Sequence, residues 1–325
     1  MKRFAKAAFA VLLSALLFAG CQSAPLSAKE TTPDSENNKE TISVVATIFP
    51  PYDFVREIAG DNVALTMLLP PGSESHSYEP TPQDIIAIQN CDVFLYVGGE
   101  SDEWIDEVLS SVEGGSRKLI KLMDCVQPVE EELVEGMEEE EEEEEGIRGP
   151  EYDEHVWTSP KNAKLIVTKI SETLREVDPA NAEAYNKNAE AYLTKLDTLD
   201  AAFQAVVDDA ARKTIVFGDR FPFRYFADAY GLSYFAAFPG CSTETEASAA
   251  TVAFLIDKIK AEQIPAVFHI ELSNEKMADT LAEATGAKKL LLHACHNISK
   301  ADFENGVGYL DLMTANVAAL REALS

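Results

Sequence analysis

From Ala180 to Phe217 the chain contains neither glycine nor proline. Within that run Tyr185, Ala189, Tyr192, Leu196, Leu199, Phe203 and Val206 recur every three or four residues, the spacing that lines one face of a helix. Asp178-Pro179 stands just ahead of it: an N-cap residue, then the residue best tolerated at the first helical position. At about 1.5 Å per residue, roughly thirty residues make a rod about 45 Å long, which exceeds the width of a small domain. Such a rod serves best to join two lobes, and a crevice between lobes is a natural binding site. Helical character begins earlier, after Tyr152-Asp-Glu-His155-Val-Trp157-Thr-Ser-Pro160, so linking helices are expected over 161–212.

On either side of these helices, short apolar runs alternate with helical ones. In the first part, strands are expected at Ser43–Pro50, ended by Pro50-Pro51, and at Val63–Leu69, Asp92–Val97 and Lys118–Leu122. Helices are expected at Tyr52–Ala59, from Thr81-Pro-Gln-Asp84 to Asn90, and at Trp104–Ser110. In the second part the strands are Thr214–Phe217, Ser233–Phe238, Ala266–Ile270 and Lys289–Leu292, and Gly308–Leu324 closes the chain as a helix. Alternation of this kind predicts an α/β fold: two βα lobes with parallel sheets, 42–160 and 213–325, joined by the long helix. In such sheets ligands sit at the carboxyl ends of the strands.

The formal charge of −29, from 56 acidic and 27 basic side chains, excludes a nucleic-acid partner, because phosphate binding needs positive surface. It gathers cations instead. Lys2, Arg3 and Lys6 followed by the apolar run Ala7–Phe18 and Ala19-Gly20-Cys21 form an export signal over 1–20. Its ending is similar to a bacterial lipobox, which implies a lipid on Cys21 and an extracytoplasmic protein held at the membrane. Residues 21–41, rich in Ser, Thr, Pro, Glu and Lys, read as a disordered tether. A second such segment, 129–149, contains eight consecutive glutamates, Glu138 to Glu145; it is a solvated loop, a weak cation-gathering arm, or both. The cysteines Cys91, Cys125, Cys241 and Cys295 fall two to a lobe, and export permits disulfides. The expected pairs are Cys91–Cys125 and Cys241–Cys295. No CxxC spacing exists, which argues against a cysteine-only zinc site.

Chemistry concentrates on the five histidines. His76 sits in a proline-rich loop between Glu74 and Glu79. His155 follows Asp153 and Glu154. His293 ends a strand, and His296 comes three residues later. Neutral imidazole is the commonest metal-binding side chain, and histidines from two lobes meeting in a crevice would make a site that explains the rod. The bland alternative is that loop histidines are simply solvated. A zinc hydrolase would need an open coordination position and a base, and HExxH is absent.

Two motifs resemble a known family. Pro71-Gly-Ser-Glu-Ser-His76-Ser-Tyr-Glu-Pro-Thr-Pro82 and Asp153-Glu-His155-Val-Trp-Thr-Ser-Pro160 are similar to the two first-lobe metal-ligand motifs of the zinc- and manganese-binding lipoproteins of bacterial ABC importers. The resemblance runs from Ile42 to Leu324. It implies a monomeric solute-binding protein that captures Zn²⁺ (or, as an alternative, Mn²⁺ or Fe²⁺) between its lobes and hands it to an importer permease. A surface adhesin with a structural metal is a further alternative. No catalysis is implied. The second lobe departs from the family pattern. Counting back from Tyr225-Phe-Ala-Asp-Ala-Tyr230-Gly-Leu232, the third ligand position falls on Arg220, which cannot ligate a cation, so the adjacent Asp219 is expected in its place. Thr285-Gly-Ala-Lys-Lys-Leu-Leu-Leu-His293 resembles the segment that ends in the fourth ligand. The expected set is therefore His76, His155, Asp219 and His293, a combination that suits zinc. Glu271 is the substitute carboxylate. His269 is expected in the core, His296 beside the site or on the surface, and Cys295 in its disulfide.

Overall fold

The computed structural model describes residues 41–74, 78–111, 115–137, 151–242 and 247–325. The export signal, Cys21, most of the tether, His76 and the glutamate run lie outside the described residues. Ten helices and eight strands are named here among the described residues. The first lobe comprises β1 (Ile42–Ala46), α1 (Phe49–Ala59), β2 (Val63–Met67), α2 (Pro82–Asn90), β3 (Val93–Tyr96), α3 (Glu103–Ser111) and β4 (Lys118–Lys121). Two linking helices follow, α4 (Pro160–Val177) and α5 (Ala182–Asp208). The second lobe comprises β5 (Thr214–Arg220), α6 (Arg224–Tyr230), β6 (Ser233–Phe238), α7 (Ala249–Glu262), β7 (Ala266–His269), α8 (Lys276–Thr285), β8 (Lys288–Leu291), α9 (Lys300–Glu304) and α10 (Tyr309–Leu324).

Both sheets are parallel and have the same plan: order β2-β1-β3-β4 in the first and β6-β5-β7-β8 in the second. In each, the order reverses between the two central strands, β1 and β3 or β5 and β7. Crossover connections diverge there and leave a crevice at the carboxyl ends.

Local sequence accounts for the helix starts. Thr81 caps α2 by accepting from the Asp84 N–H, and the Asp84 side chain reciprocates to the Thr81 N–H at 2.8 Å, a capping box with proline at the first position. In α1 the prolines take the opposite role to the one expected. Pro50 and Pro51 begin the helix rather than ending a strand, because the first turn has no partner for the N–H they lack.

In α5 all seven periodic residues, Tyr185 through Val206, are buried. The helix packs beside α4, and Lys164 pairs with Asp197 as Arg175 does with Asn186, so the two run antiparallel. Its first half meets the first lobe, with the Tyr192 ring 6.1 Å from Phe54 of α1. Its second half meets α6 of the second lobe, where Phe203 lies 4.8 Å edge-on to Phe226. The largest hydrophobic cluster is continuous from Val44 through Tyr192 and Phe226 to Leu324, so the lobes share one core. Truncating Phe203 to Ala would cost about 3–5 kcal/mol. Smaller clusters fill the outer layers under α2 and α3 and under α7 and α8.

The expected disulfides are not formed: Cys91, Cys125, Cys241 and Cys295 are free thiols. Cys91 points into the outer layer beside Ile88 and Phe94, whereas Cys125 packs on the shared core. The sheet separates them. Cys295 is buried in the shared core. Cys241 lies on the turn after β6 among the carboxylates Glu154, Asp153 and Glu131, and burial drives its thiol pKa well up.

Candidate metal centre

The carboxyl ends of both sheets open on a narrow cleft lined by Ser73, Glu74, His155, Arg220, Glu271 and His296, among others. His296 also lines an adjoining small cavity with Thr47, Val97, Asp102, Trp104 and Glu154. Arg220 ends β5, and Glu271 stands two residues past β7. Both thus lie at the point where the second sheet reverses its order, as the topology requires of a ligand site.

His155 is fully buried. Val156 and Trp157, both buried in the shared core, anchor the turn that carries it, and Pro160 then opens α4. Trp157 also reaches the other lobe, its Nε1 donating to Ala294 O at 2.8 Å. Asp153 Oδ1 accepts from the His155 backbone N–H at 2.7 Å and lies 3.2 Å from its Nδ1. With the imidazole proton on Nδ1, this contact turns Nε2 toward a metal, the arrangement by which a carboxylate orients a metal-binding histidine. Burial pushes the His155 pKa down, but the Asp153 carboxylate, with Glu154 and Glu131, outweighs it, and the net direction is up. Gly240 explains how the second lobe approaches so closely: a Cβ there would stand 3.2 Å from both His155 Cε1 and Asp153 Oδ2.

The histidine that the second lobe brings to His155 is His296. Its ring centroid is 5.0 Å from that of His155, the planes perpendicular, and 5.0 Å from Trp157. Glu271 sets the loop that carries it: Oε1 accepts from the His296 N–H at 2.9 Å and Oε2 from the Ala294 N–H at 2.7 Å.

The two expected second-lobe ligands are placed otherwise. His293 is buried against α10, where Asn316 pairs with both its N–H and its carbonyl at 2.8 Å. Its Nδ1 accepts from the Cys295 N–H at 2.9 Å and lies 3.4 Å from Glu271. It does not line the cleft. Nor does Asp219, whose carboxylate accepts from Arg220 N at 2.9 Å and Ile270 N at 3.2 Å and so ties the end of β5 to the end of β7. His269 is half-buried at the end of β7. His76 is outside the described residues, and among those described no three His, Cys, Asp or Glu side chains stand together as a finished metal site. The donors that line the cleft, the imidazoles of His155 and His296 and the carboxylates of Glu74 and Glu271, are N and O groups of the kind zinc takes.

His296 lies in the loop after the last strand, three residues beyond His293. Its place in the cleft depends on the position of Glu271, which sequence spacing does not supply.

The family model of the zinc-uptake complex component A, periplasmic, matches residues 44–323. The high-affinity zinc uptake system protein ZnuA of Bacillus subtilis is 33% identical over 319 residues, covering 97% of this chain and 96% of the relative. The zinc-binding lipoprotein AdcA of Streptococcus pneumoniae is 32% identical over 86% of this chain, which spans 55% of that longer protein. The solved structure of the Zn(II)-bound ZnuA-like domain of that AdcA superposes with a TM-score of 0.72 at 29% identity, covering 87% of this chain and 99% of the domain.

Proposed function

The chain belongs to the family of periplasmic zinc-uptake complex components, and on that premise we propose how it holds its cargo. It works outside the cytoplasm as the zinc-binding component of an ABC importer; it is a transport component, not an enzyme. A lipid on Cys21 tethers it to the membrane. Zn²⁺ is held between the lobes by His76 and His155 from the first and by Glu271 and His296 from the second. Asp219 and His293 support that set from behind, one fastening β5 to β7 and the other fastening the loop after β8 to α10.

The observation that carries this reading is the perpendicular pair of His155 and His296, one from each lobe, 5.0 Å apart in the cleft that Glu271 also lines. Asp153 keeps a proton on the far nitrogen of His155, so the near one is a base toward the metal. Three imidazoles and one carboxylate favour zinc over manganese, which prefers more oxygen ligands. The shared core and the hydrogen bond from Trp157 to Ala294 limit lobe motion, so release is a small shear rather than a wide opening.

Calorimetric titration with Zn²⁺ and Mn²⁺ tests the set. Zinc is expected to bind far more tightly than manganese, and His296→Ala to weaken it strongly while His293→Ala leaves it nearly unchanged. The reverse order of those two variants would return the second-lobe site to His293 and Asp219.

A further inference from the structure

The first-lobe loop that leads toward His76 is fastened to the second lobe by the protein itself. Asn297, almost fully buried, donates from Nδ2 to Pro70 O at 2.9 Å and to Ser73 O at 2.8 Å. The Gly72 N–H donates to Ile298 O at 2.8 Å. Gly72 has φ +82°, which a side chain would resist, so the turn that aims this N–H across the cleft depends on glycine. One residue past Ser73, Glu74 meets Arg220 of β5: Nη2 lies 3.1 Å from Oε2 and Nη1 3.4 Å from Oε1. Nη1 also donates to Ser242 O at 3.2 Å, holding the guanidinium against its own lobe.

Arg220 occupies the third ligand position of the family pattern. A guanidinium cannot bind a cation, but its planar fork matches a carboxylate. Where the pattern has a direct bond from the second lobe to metal, this chain has a fork to the loop that carries a first-lobe ligand. We propose that Arg220 and Asn297 are positioning residues: they dock the 70–74 loop, which lines the cleft through Ser73 and Glu74, on the second lobe before metal arrives. The consequence for zinc rests on the metal site proposed in this cleft; the docking does not. Zinc held there leaves more slowly while this loop stays docked.

Hydrogen exchange on the metal-free protein tests the docking alone. The Gly72 amide is expected to be protected in the wild type and to lose that protection in Asn297→Ala and Arg220→Gln. Fast exchange in the wild type overturns the proposal. Zinc transfer to a chelator tests the consequence. Arg220→Gln and Glu74→Gln are each expected to speed release about tenfold, the equivalent of one lost charged hydrogen bond. The exchanged pair Arg220→Glu with Glu74→Arg should recover most of that, which a merely disturbed fold would not do. Single variants within twofold of wild type, or a double variant no better than the singles, overturn it. Glu74 is 41% exposed in its side chain, so Glu74→Gln leaves the core untouched and remains informative if an Arg220 variant misfolds. A wild type that fails to bind zinc would sink the ligand reading instead and leave docking to be decided by the exchange result.

Discussion

The two lobes have one strand plan and use the same device, a buried carboxylate that gathers backbone N–H groups beyond a strand end, for different ends. In the first lobe Asp102 accepts from the N–H groups of Val97 and Gly98, just past β3, at 2.7 and 2.9 Å. In the second, Glu271 accepts from Ala294 and His296, in the loop past β8, at 2.7 and 2.9 Å. Asp102 faces the adjoining cavity, whereas Glu271 lines the cleft itself beside His155 and His296. Topology thus fixes where the crevice is, and the loops fix what stands in it. The first lobe's imidazole, His155, does not come from a central strand end at all. It enters after the acidic segment and is clamped by Asp153.

The strongest way to break this comparison is to remove one partner from each side. His155→Ala takes away a fully buried imidazole of the proposed metal site. Zinc affinity should fall by more than about 100-fold, beyond the range for losing a supporting residue. Glu271→Gln is subtler, because the amide oxygen can still accept from one backbone N–H and hold the loop while the charge is gone. It should weaken zinc by about 10–100-fold with the melting temperature of the metal-free protein little changed. If Glu271→Gln instead melts early and binds zinc normally, Glu271 is a loop clamp like Asp102, and the contrast between the lobes disappears.

What was legible in the chain follows from the range of the forces involved. The face of α5 was readable because helix periodicity is local and every residue on it found the core. The lobes were readable because apolar runs of strand length alternate with amphipathic ones. The start of α1 was misread because Phe49-Pro-Pro serves equally as a strand stop and a helix start, and only the packing of Phe49 in the core separates them. The disulfides were misjudged because counting cysteines per lobe ignores the sheet that parts Cys91 from Cys125. Spacing alone does not separate His293 from His296, which lie less than one turn apart. Their surroundings come from Asn316 and Glu271, far away in sequence: Asn316 holds His293 against α10, and Glu271 sets the loop that brings His296 to the cleft.

That distinction carries the next prediction. His293→Ala removes an acceptor for the Cys295 N–H and contacts with Glu271 and α10 in a buried place. It should destabilise the metal-free protein by about 1–3 kcal/mol while changing zinc affinity less than about threefold, measured by thermal melting and calorimetry on one preparation. A variant that keeps its stability but loses zinc would mean His293 faces the metal after all.

The smallest expected effect isolates the carboxylate of the first lobe. Burial raises the Asp102 pKa to about 6; its two backbone donors and Lys121 oppose this, and nearby Glu154 adds to it. The unfolded value is about 3.9. The folded protein therefore keeps a proton that the unfolded chain has already released. The stability so contributed is fully present below about pH 4 and is lost as the pH rises through 6, on the order of 1–3 kcal/mol across the whole range. In Asp102→Asn the amide oxygen can still accept from Val97 and Gly98, but nothing titrates. The melting temperature of the metal-free wild type should carry a downward component between pH 4.5 and 7 that Asp102→Asn lacks. Asp53, also raised to about 6 by burial despite Arg56 beside it, contributes in the same sense to both proteins, so the difference between their two curves belongs to Asp102. Parallel curves would mean that Asp102 is ionised throughout.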